Sequence, residues 1–408
     1  MKILYLSQYF PPEMGAPSAR VYELARRWVK QGMEVTVLTG FPNHPTGIIP
    51  KAYRGRWFMR EDKEGIRVMR TFLYATANKG FLKRILSYLS FMISGIIQGV
   101  WRTGKQDVII ASSPQFFVAV AGWVISRFKG IPFIFEVRDL WPESIVQLGQ
   151  LKNKWIIRIL EAMEMYLYQH AVRVITVTDT TVEILRSRGI PGEKISVIKN
   201  GVDLNLFTSH ENSEATKKRL GYFDKFIVSY IGTLGLSHAN NVTLQTAALL
   251  QESHPDILFL LVGEGAEKES LIETAEKENL TNVVFLDQIS KQELPAYYNM
   301  SDIVLVTLRD LPLFRHVIPS KIFEIMAMAR PMIIAVDGEA RAIIEIAQAG
   351  IFCEPEHPQA LKEAVLSFYN NAHLACTYGK NGRRFVEAFF DRDKLADDYL
   401  EILKQVLN

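Results

Sequence analysis

Cysteine is scarce in this chain, and residue patterns that bind metals are missing. Its 408 residues include two cysteines, which form no CxxC pair and no group with histidines of the kind a zinc site requires. This usage fits a reducing compartment with unpaired thiols rather than a disulfide framework. There is no HExxH motif and no nucleophile elbow, and the one DxD, at Asp391–Asp393, precedes a C-terminal helical segment. We therefore predict that the protein works without a metal cofactor.

The sequence also has no large excess of positive or negative charge. It has no run of apolar residues long enough to span a membrane. Lys and Arg total 47 against 44 Asp and Glu, a formal net charge of +3. Such a balance does not indicate nucleic acid binding unless the charge is clustered. The N-terminal MKILYLSQYFPPE has a short apolar part broken by polar residues, so we interpret it as a first strand rather than a signal peptide. With no export signal, a cytoplasmic location is expected.

Basic and aromatic residues do cluster between residues 51 and 105. Lys51–Arg70 holds seven Lys or Arg against three acids, and the uncharged Ile85–Trp101 has basic residues at both flanks. A spanning helix needs about 20 apolar residues, and this segment contains serines, glycines and a glutamine, so a span is excluded. Two interpretations stay open: a helix lying in the interface of an anionic membrane, or a core helix. Single-stranded nucleic acid would suit such a segment, but nothing else favours it.

Short β-rich runs alternate with helical stretches along the chain. KILYLSQYF, EVTVLTG, DVIIASS and PFIFEV belong to a first series, and FIVSYIG and ILFLLVG open a second after a polar stretch. Near-continuous apolar strands between helices indicate parallel sheets covered on both faces. We predict an α/β fold with two doubly wound domains, 1–200 and 205–390, facing each other across a cleft. The segment 392–408 has helical spacing and could close either domain.

The stretch RHVIPSKIFEIMAMARP begins a helix with a cation, where the helix dipole disfavours one. Pro319 disfavours helix at the residue before it, so Ser320 is the expected N-cap and Lys321 the first helical residue. Glu324 lies three residues further on a neighbouring part of the same face, where an ordinary i,i+3 ion pair is the alternative interpretation. Because the helix follows a predicted strand, we predict that Ser320, free amides and Lys321 bind a diphosphate. Glu324 would then accept hydrogen bonds from ribose hydroxyls.

Glycines follow the first two strands of the second domain. Gly232 and Gly235 come after FIVSYI, and Gly263 and Gly265 after ILFLLV. Glycine there permits the backbone to approach a ligand closely, or serves a turn for steric reasons. The spacing is not the GxGxxG dinucleotide fingerprint.

Two loops of the first domain are further candidates. FEVRDLWPES groups Glu136, Arg138 and Asp139 at a strand end, which fits either catalysis or a self-neutralising cluster that supports the loop. Gly15 and Ala16 lie between the first strand and the first helix. They either present backbone to a substrate or belong to a loop shaped by prolines.

Together these segments resemble the retaining glycosyltransferases of family 4, which have the GT-B fold of two facing Rossmann-like domains. The resemblance covers essentially the whole chain and is carried by MKILYLSQYFPPEMGAPSARVYELARRWVKQGMEVTVLTGFPNHPTG, FEVRDLWPES, VIKNGVDLNLF and PSKIFEIMAMARP. These segments look most like the WbuB-type amino-sugar transferases of O-antigen and capsule assembly. The resemblance implies a nucleotide-sugar donor in the C-terminal domain and an acceptor in the N-terminal domain. It also implies no metal, and a last helix that returns to the N-terminal domain.

The donor motifs of that family are only partly matched here. Of its two glutamates separated by seven residues, the second falls on Glu324, while His316 occupies the first position. Its phosphate-binding segment has His238 where the family has a lysine, which leaves Lys321, helped by Arg315, as the best remaining cation. The donor-binding residues predicted on this basis are Gly232, Thr233, His238, Gly263, Arg315, Ser320, Lys321 and Glu324.

The acceptor side departs from the family as well. Arg138 stands where many members carry a catalytic histidine, and only Asp139 of that pair matches. The family's Gly-Gly pair near the acceptor is Gly15-Ala16 in this chain. The predicted catalytic residues are Asp139, Arg138, Glu136 and His316, with Gly15 and Ala16 as acceptor-binding residues.

The predicted reaction moves a sugar, an N-acetylated amino sugar on the family pattern, from a UDP donor to a polyprenyl-diphosphate-linked saccharide at the inner membrane face. No pair of carboxylates can be assigned as nucleophile and acid, so a double displacement is not supported. Front-face departure of the nucleoside diphosphate is favoured. Two alternatives remain: an enzyme similar to UDP-N-acetylglucosamine 2-epimerases, and a noncatalytic sugar-nucleotide-binding scaffold.

Overall fold

The computed structural model describes residues 1–13, 15–44, 46–76, 81–147, 149, 151–208 and 213–407. The other positions of the predicted domains and of the basic segment 51–105 lie outside the described residues; they are 14, 45, 77–80, 148, 150, 209–212 and 408. The chain divides into an N-terminal unit, Met1–Lys199 with Arg392–Asn408, and a C-terminal unit, Asn200–Asp391. Each unit is an α/β layer structure around its own sheet.

The N-terminal unit is built on a mainly parallel sheet with helices on both faces. Its strands are β1 (Lys2–Leu6), β2 (Glu34–Gly40), β3 (Phe58–Lys63), β4 (Ile66–Thr71), β5 (Val108–Ser112), β6 (Phe133–Val137), β7 (Arg173–Thr176) and β8 (Ile195–Val197). Its helices within Met1–Lys199 are α1 (Ala16–Lys30), α2 (Phe81–Arg102), α3 (Phe116–Lys129), α4 (Glu143–Gln147), α5 (Lys154–His170) and α6 (Asp179–Ser187). The strands lie in the order β3-β4-β2-β1-β5-β6-β7-β8.

Alternating side chains of the central strands explain the two helix layers. In β1, Leu4 and Leu6 pack into a core with α2, α3 and α5, whereas Ile3 and Tyr5 pack on the other face with α1. All four side chains are fully buried. Both faces of the sheet are therefore covered, which is the reason the strands read as continuous apolar runs.

Strand β3 is an element that the sequence pattern did not predict. It pairs antiparallel with β4 through the turn at Glu64 and Gly65, both of which have positive φ, at 53° and 80°. Two consecutive positive φ values are typical of tight hairpin turns. The strand reads FMREDK and lies at the edge of the sheet, where charged residues are common because they prevent further strand pairing.

The C-terminal unit repeats the doubly wound plan with an all-parallel sheet. Its strands are β9 (Phe226–Ile231), β10 (Ile257–Val262), β11 (Val283–Leu286), β12 (Ile303–Thr307), β13 (Met332–Ala335) and β14 (Gly350–Phe352). Its helices are α7 (Ser213–Arg219), α8 (Asn241–Leu250), α9 (Lys268–Lys277), α10 (Leu294–Met300), α11 (Lys321–Ala327), α12 (Glu339–Ala347), α13 (Pro358–Tyr369) and α14 (Ala372–Phe389). The order is β11-β10-β9-β12-β13-β14. The predicted α/β class with two doubly wound domains is confirmed.

Strand order places the binding loops of each unit. The order in which successive strands are added to the sheet reverses between the neighbouring parallel strands β1 and β5 in the N-terminal unit. In the C-terminal unit it reverses between β9 and β12, which are also parallel. Open parallel sheets bind ligands at such reversal points, beyond the carboxyl ends of the strands. The loops after these four strands are therefore the ones in which functional residues are expected.

The last helix, α15 (Arg392–Leu407), belongs to the N-terminal unit and packs on α1. The indole of Trp28 stacks on Tyr5, with ring centroids 5.8 Å apart, and meets Tyr399 edge-on at 5.3 Å. Its Nε1 donates to the Ala396 carbonyl at 3.0 Å. Arg27 adds an ion pair with Asp393 at the start of α15.

Helix α2 has one face in the core and one face in solvent. Phe91 is fully buried, whereas Leu82, Ile93 and Trp101 are more than half exposed. The buried face makes α2 a core helix, and the exposed face leaves the membrane interpretation open as a prediction. In the described part of the chain, no helix combines the length and apolarity that crossing a bilayer requires.

Candidate functional site

An unpaired lysine lies at the start of α11, in the C-terminal unit. The Nζ atom of Lys321 is buried and, within the described residues, has no hydrogen-bond partner. This Nζ atom lies 3.8 Å from the centre of the Tyr230 ring. Tyr230 is near the end of strand β9. Burial lowers the pKa of Lys321 to about 7, against a partial opposing effect of the Glu324 charge. A buried ammonium with no partner is costly, and an anionic or accepting group beside it would offset that cost.

The predicted N-cap of this helix is only partly correct. Ser320 does precede α11, but its backbone is already helical, with φ −59° and ψ −22°, and its hydroxyl makes no cap hydrogen bond. An N-cap residue ordinarily has extended backbone, which lets its side chain turn back to the free amides. The helix therefore begins without a side-chain cap, and the Ser320 hydroxyl is not committed to one.

Glycines let the β9 and β10 loops pack against each other beside Lys321. Gly232 and Gly263 both have φ of 149°, a conformation that favours glycine. A Cβ on Gly232 would lie 2.6 Å from the Lys321 Nζ, and one on Gly263 would lie 1.9 Å from the Gly232 carbonyl oxygen. A Cβ on Gly265 would similarly meet the Leu234 carbonyl at 2.0 Å. Gly263 and Gly265 are thus explained by backbone packing.

His238 lies close to the same lysine but does not replace it as a cation. Burial, together with the nearby charge of Lys321, lowers the pKa of His238 to about 4, so the imidazole is neutral at physiological pH. Its backbone carbonyl accepts a hydrogen bond from Thr307 at 2.7 Å, which joins the β9 loop to the end of β12. Thr233 is exposed, and its carbonyl accepts from the Tyr230 hydroxyl at 2.8 Å.

Glu324 faces a tyrosine rather than forming a simple surface pair. The Tyr298 hydroxyl donates to its Oε2 at 3.0 Å. In the described chain no ion pair joins Glu324 to Lys321, so the i,i+3 interpretation is not supported. Glu324 is half-buried and one helical turn from the lysine, and a carboxylate has lone pairs for more than one donor.

Arg315 and His316, the two predicted site residues in the short helix before α11, differ from each other in their surroundings. That 3₁₀ helix spans Pro312–His316. Arg315 is exposed and its Nε lies 3.7 Å from Asp337 Oδ2, so an acid already attracts its charge. His316 is half-buried, and its Nδ1 has no hydrogen-bond partner among the described residues. The His316 Nδ1 atom is thus unpaired among the described residues. A ligand that binds Lys321 would have to compete with Asp337 for the charge of Arg315.

In the N-terminal unit, Glu136 is a structural residue, which corrects its predicted catalytic role. Its carboxylate is fully buried and accepts hydrogen bonds from Tyr5 at 2.8 Å, Arg20 at 3.0 Å and Ser112 at 2.5 Å. Burial acts to raise the pKa of Glu136, but the Arg20 charge and these hydrogen bonds outweigh it, so the pKa is lowered. A carboxylate enclosed in this way cannot contact an acceptor.

Arg138 and Asp139 keep the free groups of this loop. The Nε and Nη1 atoms of Arg138 are buried and have no partner in the part of the chain described, and its backbone amide donates to Ser113 Oγ at 2.7 Å. Burial and the charge of Arg20 lower the pKa of Arg138. Asp139 keeps an accessible side chain, although surrounding protein raises its pKa and the charge of Arg138 opposes this. Of the three predicted residues in this loop, these two can meet a ligand.

Glu13 organises the loop that holds Gly15 and Ala16, and the sequence pattern did not reveal it. Its carboxylate accepts from the backbone amides of Asn43 and His44, each at 2.9 Å, which ties the β1 loop to the β2 loop. Gly15 has φ of 126° and precedes α1, whose first residue is Ala16; both are exposed. A buried acid that bonds only to backbone has no signature in sequence spacing.

Glu164 on α5 is a second residue that the sequence did not indicate. It accepts from the Trp141 amide at 3.2 Å and from the Tyr168 hydroxyl at 2.6 Å, and Arg188 donates to it at 3.2 Å. Burial raises the pKa of Glu164 to about 7. The RDLWPES loop is thereby fixed to α5 two residues after Asp139.

The described residues offer no cluster of three or more His, Cys, Asp or Glu that could hold a metal ion.

Both halves of the chain match families of known proteins. A family model described as a glycosyl transferase 4-like domain matches residues 15–201, and one described as glycosyl transferases group 1 matches residues 212–385. Among curated relatives, WcaI of Escherichia coli (strain K12), named as a glycosyl transferase of colanic acid biosynthesis, is 23% identical and aligns over 99% of this chain and 100% of its own length.

Solved structures give the same fold. The Anabaena protein Alr3699/HepE, solved in complex with UDP and glucose, has a TM-score of 0.74 at 20% identity and covers 99% of both chains. WaaG, a glycosyltransferase involved in lipopolysaccharide biosynthesis, has a TM-score of 0.70 at 14% identity, covering 97% of this chain and 99% of its own. With the two family models matching consecutive halves, the chain belongs to the family 4 glycosyltransferases of GT-B fold.

Proposed function

We propose that this glycosyltransferase moves a sugar, with retention of configuration, from a UDP-sugar to a polyprenyl-diphosphate-linked saccharide during surface polysaccharide assembly. The sugar proposed is an N-acetylated amino sugar, on the pattern of the WbuB-type sequences. Support comes from WcaI, whose name refers to colanic acid biosynthesis, and from HepE, which was solved with UDP and glucose. O-antigen or capsule would be the product class.

The observation that carries the proposal is the amino group of Lys321, which is buried with no hydrogen-bond partner among the described residues. It lies beside Gly232, near the end of β9, at the start of α11, which no side chain caps. A diphosphate supplies acceptor oxygens and negative charge, which are the two things this ammonium is missing. Glu324, one turn away, would accept hydrogen bonds from ribose hydroxyls.

The same groups would stabilise the reaction. As the bond from the sugar to the diphosphate breaks, negative charge grows on the departing phosphate oxygen, and Lys321 with the α11 amides would stabilise it in place. No residue needs to form a covalent sugar intermediate in this scheme. His316, with a free ring nitrogen, is the remaining candidate for contact with the sugar.

In the N-terminal unit we place the acceptor against Asp139 and Arg138. The accessible carboxylate would orient the attacking hydroxyl, and the unpaired guanidinium would hold an anionic or polar group of the acceptor. Gly15 and Ala16 would present backbone to the acceptor saccharide. A lipid-linked acceptor implies work at the cytoplasmic membrane face, with peripheral contact through the basic segment 51–105.

Calorimetric titration with UDP tests the donor site. We expect Lys321→Ala and Glu324→Ala to weaken UDP binding at least about tenfold each, because each removes a charged contact. Lys268→Ala is the matched control, since this lysine of the same unit is already paired with Glu264 and Asp287 at 2.6 Å. UDP affinity unchanged in both site variants would refute the assignment.

Two rival functions are separated by turnover. A 2-epimerase would convert UDP-N-acetylglucosamine to its C2 epimer with no acceptor present, whereas a transferase would not. A noncatalytic scaffold would bind UDP and transfer no sugar to any lipid-linked acceptor. Thermal stabilisation by a panel of UDP, GDP and dTDP sugars would identify the base and sugar.

A further inference from the structure

Three helices of the N-terminal unit line the same face of its sheet. Helices α2, α3 and α5 all pack on the core formed by Leu4, Leu6 and Phe135, and α3 contacts both of the others. Helices α1 and α15 cover the opposite face. The outer sides of α2, α3 and α5 therefore point in one general direction, so a flat surface can meet all three.

The outer side of α5, like that of α2, exposes large apolar side chains. Trp155 is 74% exposed and Ile159 58% exposed, one helical turn apart, and Tyr166 continues the line at 42%. Phe128, at the end of the intervening α3, is 73% exposed. Side chains of this size are ordinarily buried, and an aligned exposed set marks a surface that meets a partner.

Basic residues outnumber acids around this line, in which Glu161 is the exposed acid of α5. Lys152, Lys154 and Arg158 are exposed on or just before α5, and the Arg158 guanidinium lies 5.9 Å from the Trp155 ring centre. Arg127 is exposed beside Phe128. The opposite face differs, since the outer side of α15 is charged and mainly acidic, with Asp397, Asp398 and Glu401 exposed among others. On α15, four exposed acids outnumber the exposed Lys394 and Lys404, so the two faces differ in the sign of their prevailing charge.

We propose that α5 is a second bilayer-contacting helix, which inserts Trp155, Ile159 and Tyr166 among the lipids of an anionic membrane. The proposal rests on the proposed function, because a lipid-linked acceptor gives the protein a membrane to meet, and it extends the contact beyond residues 51–105. Lys152, Lys154 and Arg158 lie at headgroup level, where an anionic surface attracts them. Tryptophan and tyrosine suit this boundary because one part of each ring is apolar and another polar.

The inner side of α5 connects the proposed membrane contact to the loop that holds Asp139. Glu164 of α5 holds the Trp141 amide, and Trp141 follows Asp139 by two residues. A bilayer-bound α5 therefore fixes the height of the Asp139 loop above the lipid. An acceptor whose anchor stays in the membrane would reach that loop at a defined distance.

Vesicle flotation tests this surface directly. The full chain would be mixed with vesicles of equal parts phosphatidylglycerol and phosphatidylcholine and compared with Trp155→Ser/Ile159→Ser and with Lys154→Gln/Arg158→Gln. We expect the first pair to lower the vesicle partition coefficient roughly tenfold and the second roughly fivefold per charge removed. The control is Ile346→Ser/Phe389→Ser, which removes equally exposed apolar side chains, 73% and 62%, from the C-terminal unit; it should float like the unchanged protein.

Melting temperature and UDP affinity of each variant accompany flotation, because all substituted side chains are exposed and should leave both unchanged. Undiminished flotation of both α5 variants would overturn the α5 contact while leaving the UDP assignment intact. Failure of the unchanged protein to bind UDP, with α5-dependent flotation preserved, would overturn the proposed function alone. A dimer in vesicle-free solution that the α5 variants dissociate would show that a second copy, not lipid, covers this face, and would also overturn the proposal.

Discussion

Lys321 places a titratable amine where burial favours its neutral form and a ligand would favour its charged form. The residue has no hydrogen-bond partner among the described residues, and its nearest aromatic neighbour, Tyr230, offers a ring face rather than an acceptor. Such a group lowers the stability of the unliganded protein, because an ammonium taken from water without a partner is costly. The proposed contact with a diphosphate and the stability of the unliganded protein therefore oppose each other at this position.

Substitution of Lys321 by methionine tests that opposition. We expect Lys321→Met to raise the free energy of unfolding of the unliganded protein by about 1–3 kcal/mol near pH 6, since it keeps the apolar stem and removes the buried charge. UDP binding should weaken at least about tenfold in the same variant. Thermal unfolding without nucleotide and calorimetry with UDP measure the two effects. Lys268→Met, at an ion-paired lysine, should give no stability gain; a destabilised Lys321→Met would contradict this account.

The pH dependence of UDP binding follows from the same residue. With a folded-state pKa of about 7 in the absence of ligand, Lys321 is largely neutral above that pH. A bound diphosphate favours the ammonium, so binding takes up a proton and UDP affinity should fall as pH rises from about 7 to about 9. Calorimetry in two buffers of different ionisation enthalpy would detect the proton. Lys321→Met should bind weakly with no such uptake, and identical heats in both buffers for the unchanged protein would argue against the assignment.

Stability without ligand should change in the opposite sense. The unfolded chain holds the Lys321 proton up to the ordinary pKa of about 10.5, whereas the folded chain releases it near 7. Between those values the unfolded state binds more protons, so the contribution of Lys321 to stability rises with pH across this window. Comparing the unchanged protein with Lys321→Met at each pH isolates this contribution from that of other groups.

Glu136 gives a prediction that separates folding from catalysis. Glu136→Gln removes the negative charge that pairs with the buried Arg20, and a buried charge left alone costs about 3 kcal/mol. We expect a lower melting temperature for the N-terminal unit and unchanged UDP affinity. A variant with normal melting temperature and lost turnover would instead return Glu136 to the catalytic residues.

At the scale of helices and strands, the sequence predicted most elements because their apolar periodicity is local. The apolar runs of β1, β5 and β9 and the helical spacing of α15 are properties of neighbouring residues. Strand β3 was not predicted from the sequence because most of its residues are charged. Its pairing with β4 depends on a tight turn and on its position at the edge of the sheet. The start of α11 was found, but not the missing Ser320 cap, since backbone angles at one residue depend on the loop that precedes it.

The contact of α1 with α15 makes a prediction at this scale. Trp28→Phe removes the hydrogen bond to the Ala396 carbonyl and part of a fully buried ring, and should cost about 2–4 kcal/mol of stability. The effect should appear in the unfolding of the N-terminal unit, while UDP affinity stays unchanged. Trp101→Phe, at an indole 79% exposed, is the matched control and should leave the melting temperature within about 1 °C. Equal losses in both variants would show that Trp28 does not secure α15.

For the molecule as a whole, the net charge of +3 conceals an uneven distribution. Arg56, Arg60 and Arg102 border a surface pocket of about 650 Å³ beside Trp101, and the basic residues of α5 lie on the same unit. The mainly acidic outer side of α15 balances them in the total. Composition alone therefore could not indicate a basic surface, whereas the segment 51–105 could.

This distribution predicts a salt effect. Binding to anionic vesicles should weaken roughly tenfold or more between about 0.05 and about 0.5 M NaCl, because the Debye length falls well below the spacing of these charges. Binding to vesicles of phosphatidylcholine alone should be weaker and nearly independent of salt. Flotation across the salt series measures both, and a salt-independent partition on anionic vesicles would contradict an electrostatic contribution.

The amino-acid order alone was sufficient for the α/β class, the two doubly wound halves and the family, because apolar periodicity and the motifs at strand ends are written in consecutive residues. It also selected Lys321, since a cation at a helix start is visible without coordinates. Folding in three dimensions was needed to separate Glu136 from Asp139 and Arg138, to find Glu13 and Glu164, and to show that Arg315 lies against Asp337. Those outcomes depend on which distant groups meet a side chain, and burial and pairing between residues far apart in the chain are properties of packing.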